Sequence, residues 1–131
     1  MTPQEIHQAF LNTSFKVLTK PAFTIKIDAL VPEAQQFNSW AFITAWNPLP
    51  VILSLEENRN RNQNLAEELI SFGFKYCPGI GISVDEQWSE ESFFIENISL
   101  DKANDCAAKY GQLAFIYGKK SEKAQLVYTI F

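Results

Sequence analysis

An apolar stretch that ends at Asn47-Pro48 and gives way to a helix opened by Ser54 constrains this chain more than any other feature. Ala41 to Trp46 is apolar at successive positions, so both of its faces are buried, which is the pattern of a central strand. Pro48 and Pro50 have no N–H to give to a ladder and end that strand. Ser54 and Glu57 have capping-box spacing, so a helix starts there and runs to about Phe72, with Gly73 as its left-handed cap. Its first two turns carry Glu57, Asn58, Arg61 and Asn62. Side chains this rich in donors and acceptors, placed where a strand hands over to a helix, are the raw material of a binding site.

The other elements follow from periodicity and punctuation. Thr2-Pro3-Gln4-Glu5 is a helix start, with Ile6, Ala9 and Phe10 on one face. Phe23 to Asp28 alternates apolar and polar, as a strand with one wet face does. Residues 29–39 read as a loop with a helical turn. Phe74 to Ser83 contains a strand broken or turned at Pro78-Gly79, and Phe93 to Ile98 is another strand, preceded by W-S-E-E-S. Ser99 caps a helix whose buried stripe is Leu100, Ala103, Cys106, Ala107 and Tyr110, and Gly111 ends it. Leu113 to Tyr117 and Leu126 to Phe131 form a hairpin across the polar G-K-K-S-E-K turn. From Ala41 the order is strand, helix, strand, strand, helix, strand. The fold class expected is α+β: a ferredoxin-like split βαβ core with a largely antiparallel sheet, an N-terminal helix and extra strands. Residues 1–131 form a single domain, with an N-terminal helix and connection over 1–22, a core over 41–118 and a C-terminal hairpin strand over 119–131. Right-handed crossovers then bring Asn47, the first turns of the Ser54 helix, Trp88 to Ser92 and Gly111-Gln112 to one end of the sheet.

Composition removes several function classes. A net charge of -4 does not suit bulk binding to nucleic acid or to an anionic membrane. No apolar run approaches the roughly 20 residues of a membrane span. The N-terminal residues lack a signal-peptide pattern, so a cytoplasmic location is expected. With one histidine, His7, and two separated cysteines, Cys77 and Cys106, multi-histidine and Cys-x-x-Cys metal sites cannot be built. No metal and no cofactor is implied.

The motifs T-A-W-N-P at 44–48, L-S-x-x-E-N-x-x-R-N-x-x-L at 53–65, W-x-E-E-S at 88–92 and G-Q-x-A at 111–114 resemble domain-of-unknown-function family 3293. Relative to that pattern, Leu49 to Ile52 is an apolar insertion. The resemblance implies a small bacterial protein and supplies no activity.

The candidate site residues are Asn47, Ser54, Glu57, Asn58, Arg61, Asn62, Trp88, Glu90, Glu91 and Gln112. As a ligand site, Arg61 would supply charge, the amides would orient a small polar or anionic molecule, and Trp88 would form a wall. As a structural network, Arg61 would pair with Glu57, Glu90 or Glu91, and Asn47 would tie the loop. Two other readings stand beside the binding module: an enzyme with Glu57 or Glu90 as general base, and a protein-interaction module using a sheet edge or the apolar end Tyr128 to Phe131. Glu90 and Glu91, adjacent on a strand, face opposite sides. A sheet covered by helices on one face needs a second cover, either from the chain itself or from a homodimer partner.

Overall fold

The structure, a computed structural model, describes residues 2–48 and 51–131. The expected apolar insertion at Leu49 to Ile52 falls partly on Leu49 and Pro50, which lie outside the described residues. Among the described residues there are three α-helices and seven strands. They run α1 (Pro3–Leu11), β1 (Thr13–Val17), β2 (Phe23–Ile25), β3 (Ser39–Ile43), α2 (Leu55–Ser71), β4 (Tyr76–Ser83), β5 (Ser89–Glu96), α3 (Leu100–Lys109), β6 (Ala114–Lys119) and β7 (Gln125–Tyr128), with a one-turn 3-10 helix at Pro32–Ala34. The strands form one sheet in the order β2-β1-β4-β5-β3-β6-β7, antiparallel at every pairing.

Strand alternation sorts the apolar side chains into two cores. Ala41 and Ile43 of β3, Ile95 of β5, and Phe115 and Tyr117 of β6 point to one face. They pack there against Leu65 and Leu69 of α2 and Ala103, Cys106 and Ala107 of α3. Trp40 and Phe42 of β3, Phe94 of β5 and Ile116 of β6 point to the other face, where they meet Phe15 and Val17 of β1 and Ile25 of β2. The sheet curls around this second core. Past β2, the Asp28 N–H donates to the Ala124 carbonyl at 2.8 Å, and the Ala124 N–H returns a bond to the Ala29 carbonyl at 2.9 Å. These bonds tie the chain leaving one edge strand to the chain entering the other. The second face is therefore covered from within the chain by the curl, the 3-10 turn and α1, and not only by helices.

The helix ends form as their chemistry dictates. Thr2 and Glu5 make a reciprocal capping box on α1. On α2, the Ser54 hydroxyl accepts from the Glu57 N–H at 3.1 Å, but the Glu57 carboxylate accepts from the Ser54 hydroxyl, so only half of the expected box exists. Gly73 and Gly111 adopt φ of +82° and +68°, which a side chain would strain.

Several expectations need correction. The connection expected within residues 1–22 contains a strand, Thr13–Val17, in which buried Phe15 and Val17 alternate with exposed Ser14 and Lys16. The Pro78-Gly79 pair does not break β4. Pro78 lies where the β1 ladder ends, its carbonyl accepting from the Leu18 N–H at 2.9 Å, so its missing N–H costs one bond at a margin. A Cβ at Gly79 would stand 2.5 Å from the Phe42 ring, so glycine there makes room for the second core. The W-S-E-E-S segment belongs to β5 from Ser89 onward. β3 ends at Ile43, short of the Trp46 expected, and Leu100 is exposed, not part of the buried stripe.

Candidate functional site

The chain leaves the sheet at Thr44 while still inside the protein: Ala45 and Trp46 are buried. Their backbone groups have lost the ladder, and a buried unpaired N–H or C=O costs about 1–3 kcal/mol. Polar side chains replace the missing strand. Asn62 Oδ1 accepts from the Ala45 N–H at 2.8 Å, and Thr44 Oγ1 accepts from the Trp46 N–H at 3.0 Å. Asn58 Oδ1 accepts from the Asn47 N–H at 2.8 Å. Arg61 Nε donates to the Ala45 carbonyl at 2.6 Å, and Gln112 Nε2 donates to the Trp46 carbonyl at 2.9 Å. Asn58 Nδ2 donates to Asn47 Oδ1 at 2.8 Å, and that oxygen also accepts from the Leu53 N–H at 2.8 Å. Asn62 Nδ2 donates to the Glu91 carbonyl at 2.7 Å. This last bond stitches α2 to β5. Asn47 can stand at φ +37° because asparagine tolerates that region and because its amide is held on two sides.

The polar face of α2 is thus consumed by the backbone it packs on. Asn58 and Asn62, with 2% and 6% of their surface exposed, satisfy protein groups. Arg61 does not pair with Glu57, Glu90 or Glu91. Its guanidinium spans the Ala45 carbonyl and the Tyr110 carbonyl at the C-terminus of α3, where the helix dipole is negative and a cation is favoured. It also lies over the Tyr110 ring, 5.6 Å from the centroid. The Arg59 side chain, which the sequence reading leaves aside, meets the Glu91 carboxylate at 3.5 Å on the exposed surface. Ser54 and Glu57 are exposed at the start of α2 and cap it.

Asn47, Trp88, Glu90 and Gln112 share a different feature. They line a cavity of about 400 Å³ on the curled side of the sheet. Its other walls are apolar: Ile6, Ala9 and Phe10 of α1, Phe15 of β1, Phe42 of β3 and Ala114 of β6. Trp88 and Ile52, 45% and 82% exposed, stand at its rim. Glu90 and Glu91 do take opposite faces. Glu90 shares its side of β5 with Ser92 and Phe94, while the Glu91 side chain turns toward α2. Opposite Glu90 in the ladder is Gly81, whose bare backbone leaves space beside the carboxyl.

Glu90 is chemically distinct. Among the described residues nothing donates a hydrogen bond to its carboxylate and no cation lies beside it. Burial against the apolar walls pushes its pKa up to about 7. The remaining polar groups of the lining are partly spoken for. Ser92 donates to the Glu90 carbonyl at 3.1 Å, and Thr44 donates to the Glu91 carbonyl at 2.7 Å. Gln112 uses its amide N–H groups on two carbonyls, which fixes the orientation of the amide and leaves Oε1 as an accessible acceptor. Among the described residues there is no cluster of three or more His, Cys, Asp or Glu able to hold a metal. No helix among them is long and apolar enough to cross a membrane.

The family model described as "Protein of unknown function (DUF3293)" matches residues 43–115, from the last residue of β3 to the second of β6. No curated protein and no solved structure matches the chain. The matched span holds the whole α2 network and the Glu90 side of the cavity, and it covers more than half of the 131 residues. The chain belongs to the DUF3293 family.

Proposed function

We propose that the protein is a binding module for a small, mainly apolar molecule held in the cavity between α1 and the curled sheet. One observation carries this reading: a cavity of about 400 Å³, walled by aromatic and aliphatic side chains, has among the described residues a single carboxyl group in its lining. Small-molecule sites occupy roughly 300–1,000 Å³ and combine apolar walls with a few placed polar groups. The polar or anionic ligand suggested by the sequence fits less well. Arg61, Asn58 and Asn62 are engaged by backbone, and no Lys, Arg or His lines the cavity among the described residues. The neighbour order β4-β5-β3-β6, with α2 and α3 as connections, supports reading the central strands as a ferredoxin-like unit. On that reading α1, β1 and β2 are the addition that turns one sheet face into a container.

The test is binding of the neutral fluorophore N-phenyl-1-naphthylamine, followed by its emission and by quenching of Trp88. Ala9→Trp fills the cavity from α1 and should weaken binding at least about tenfold while the far-UV circular dichroism stays native. Unchanged affinity in a folded Ala9→Trp protein would place the site elsewhere.

A second reading, an enzyme using Glu90 as general base, draws on the same carboxyl, because a base held near neutrality is poised for proton transfer. Glu57 is a poorer candidate, since it is exposed and serves the helix cap. Solvent deuterium entering a bound carbonyl compound, and ceasing to do so in Glu90→Gln, would favour the enzyme over the binding module.

A further inference from the structure

We propose that the molecule taken by this cavity is an apolar amine, its ammonium group meeting Glu90 and its hydrocarbon body lying against Phe10, Phe15 and Phe42. This rests on the cavity reading above and adds the chemistry of the head group.

Among the described residues the Glu90 carboxylate is the one charged group of the lining and Gln112 Oε1 is a second free acceptor, while the donors left over, Asn47 Nδ2, Trp88 Nε1 and the Ser89 hydroxyl, are neutral. A ligand group that meets the Glu90 carboxylate must donate. An ionised carboxylate among apolar walls is costly unless a cation joins it. Among the described residues no cation lies beside Glu90. From α1 the cavity receives Ile6, Ala9 and Phe10, from β1 Thr13 and Phe15, and from β4 Gly81. Glu5 and His7 of α1 and Lys16 of β1 lie outside the lining, and Glu91 is turned to the opposite face. A primary ammonium, with three donors and one positive charge, complements the Glu90 carboxylate. A carboxylate or phosphate ligand would meet an unpaired anion with no base to screen it. The net charge of -4 also favours the approach of cations. At the mouth, the half-exposed Trp88 offers an aromatic face to an apolar body.

Proton linkage follows from this geometry. The amine pairs with ionised Glu90, so binding in acid must first expel the proton on the carboxyl. Affinity should rise about tenfold per pH unit from about pH 5 to 7 and level off above, until the amine itself loses its charge.

Three probes of matched body decide the matter by calorimetry at pH 8: 2-phenylethylamine, 2-phenylethanol and 3-phenylpropionate. The expected result is that the amine binds at least about tenfold tighter than the alcohol and the acid weakest. In Glu90→Gln, which keeps shape and removes charge, amine affinity should fall at least about tenfold while alcohol affinity changes less than about threefold. An alcohol or acid that binds as well as the amine, or an amine indifferent to Glu90→Gln, overturns the amine assignment and leaves the cavity reading standing. If none of the three binds the wild-type protein, both fail.

Discussion

Glu90→Gln should stabilise the protein at neutral pH and leave it nearly unchanged in acid. The carboxyl sits in the apolar cavity lining with its pKa raised to about 7, against an ordinary value of 4.5. A carboxyl raised in the folded state favours the protonated form there. Its contribution is therefore fully present below about pH 4.5 and is lost as pH rises through about 7. At about 1.4 kcal/mol per pH unit, the gap between the two values corresponds to about 3 kcal/mol, and the partial exposure of the side chain reduces this to about 1–3 kcal/mol. Glutamine has the same shape and no charge to desolvate. The assay is urea denaturation of both proteins at half-unit steps from pH 4 to 8.5. Other groups titrate equally in both, so the difference between the curves isolates Glu90. That difference should be near zero at pH 4.5 and grow to about 1–3 kcal/mol in favour of the variant by pH 8. Parallel curves across the range would show that Glu90 is solvated and would remove the main chemical feature of the cavity.

The α2 network offers two further tests and the second core a third. Asn62→Ala strands the Ala45 N–H and removes one of the two donors to the Glu91 carbonyl, so it should cost about 1–3 kcal/mol in a denaturant melt; under about 0.5 kcal/mol would mean that water replaces it easily. Arg61→Ala should cost about 1–3 kcal/mol, with little dependence on salt, because its acceptors are carbonyls and not carboxylates; a loss that disappears in 1 M salt, where charges are screened within about 3 Å, would restore the ion pair. Gly118→Ala puts a methyl group into the indole of Trp40, which is fully buried, and should lower stability by about 1–3 kcal/mol; a neutral result in a thermal melt would mean that the second core repacks freely.

Much of the scaffold was legible because its signals are local. Thr2, Ser54 and Ser99 sit at helix starts with cap chemistry, and Gly73 and Gly111 close helices where only glycine avoids strain. The opposite facing of Glu90 and Glu91 follows from the period of a strand alone. What escaped depends on contacts between distant segments. Thr13–Val17 carries the alternation of a strand in its T-S-F-K-V, but nothing local says that it pairs with β4 and sets a phenylalanine opposite Phe42. The curl, made by Asp28 and Ala29 meeting Ala124, has no sequence period at all. Asn47, Trp88, Glu90 and Gln112 line the cavity, whereas Asn58, Arg61 and Asn62 bind backbone, and this division was not visible in the sequence. Asn58, Arg61 and Asn62 looked like ligand groups because polarity on a core-facing helix stripe is unusual. Their partners proved to be the backbone of residues 45–47, an irregular segment whose unmet hydrogen bonds a sequence does not display. Glu90, by contrast, looked like one half of an acidic pair, and only the tertiary structure sets it alone among apolar walls.

The most direct test is to map where small apolar molecules bind, by following backbone and side-chain resonances of the labelled protein during a fragment titration. The account predicts shifts at Phe10, Phe15, Phe42, Trp88, Glu90 and Gln112 that saturate together, with Asn58 and Arg61 nearly still. Shifts centred on Asn58, Arg61 and the exposed start of α2, with Glu90 unmoved, would contradict it and return the site to the polar face of the helix.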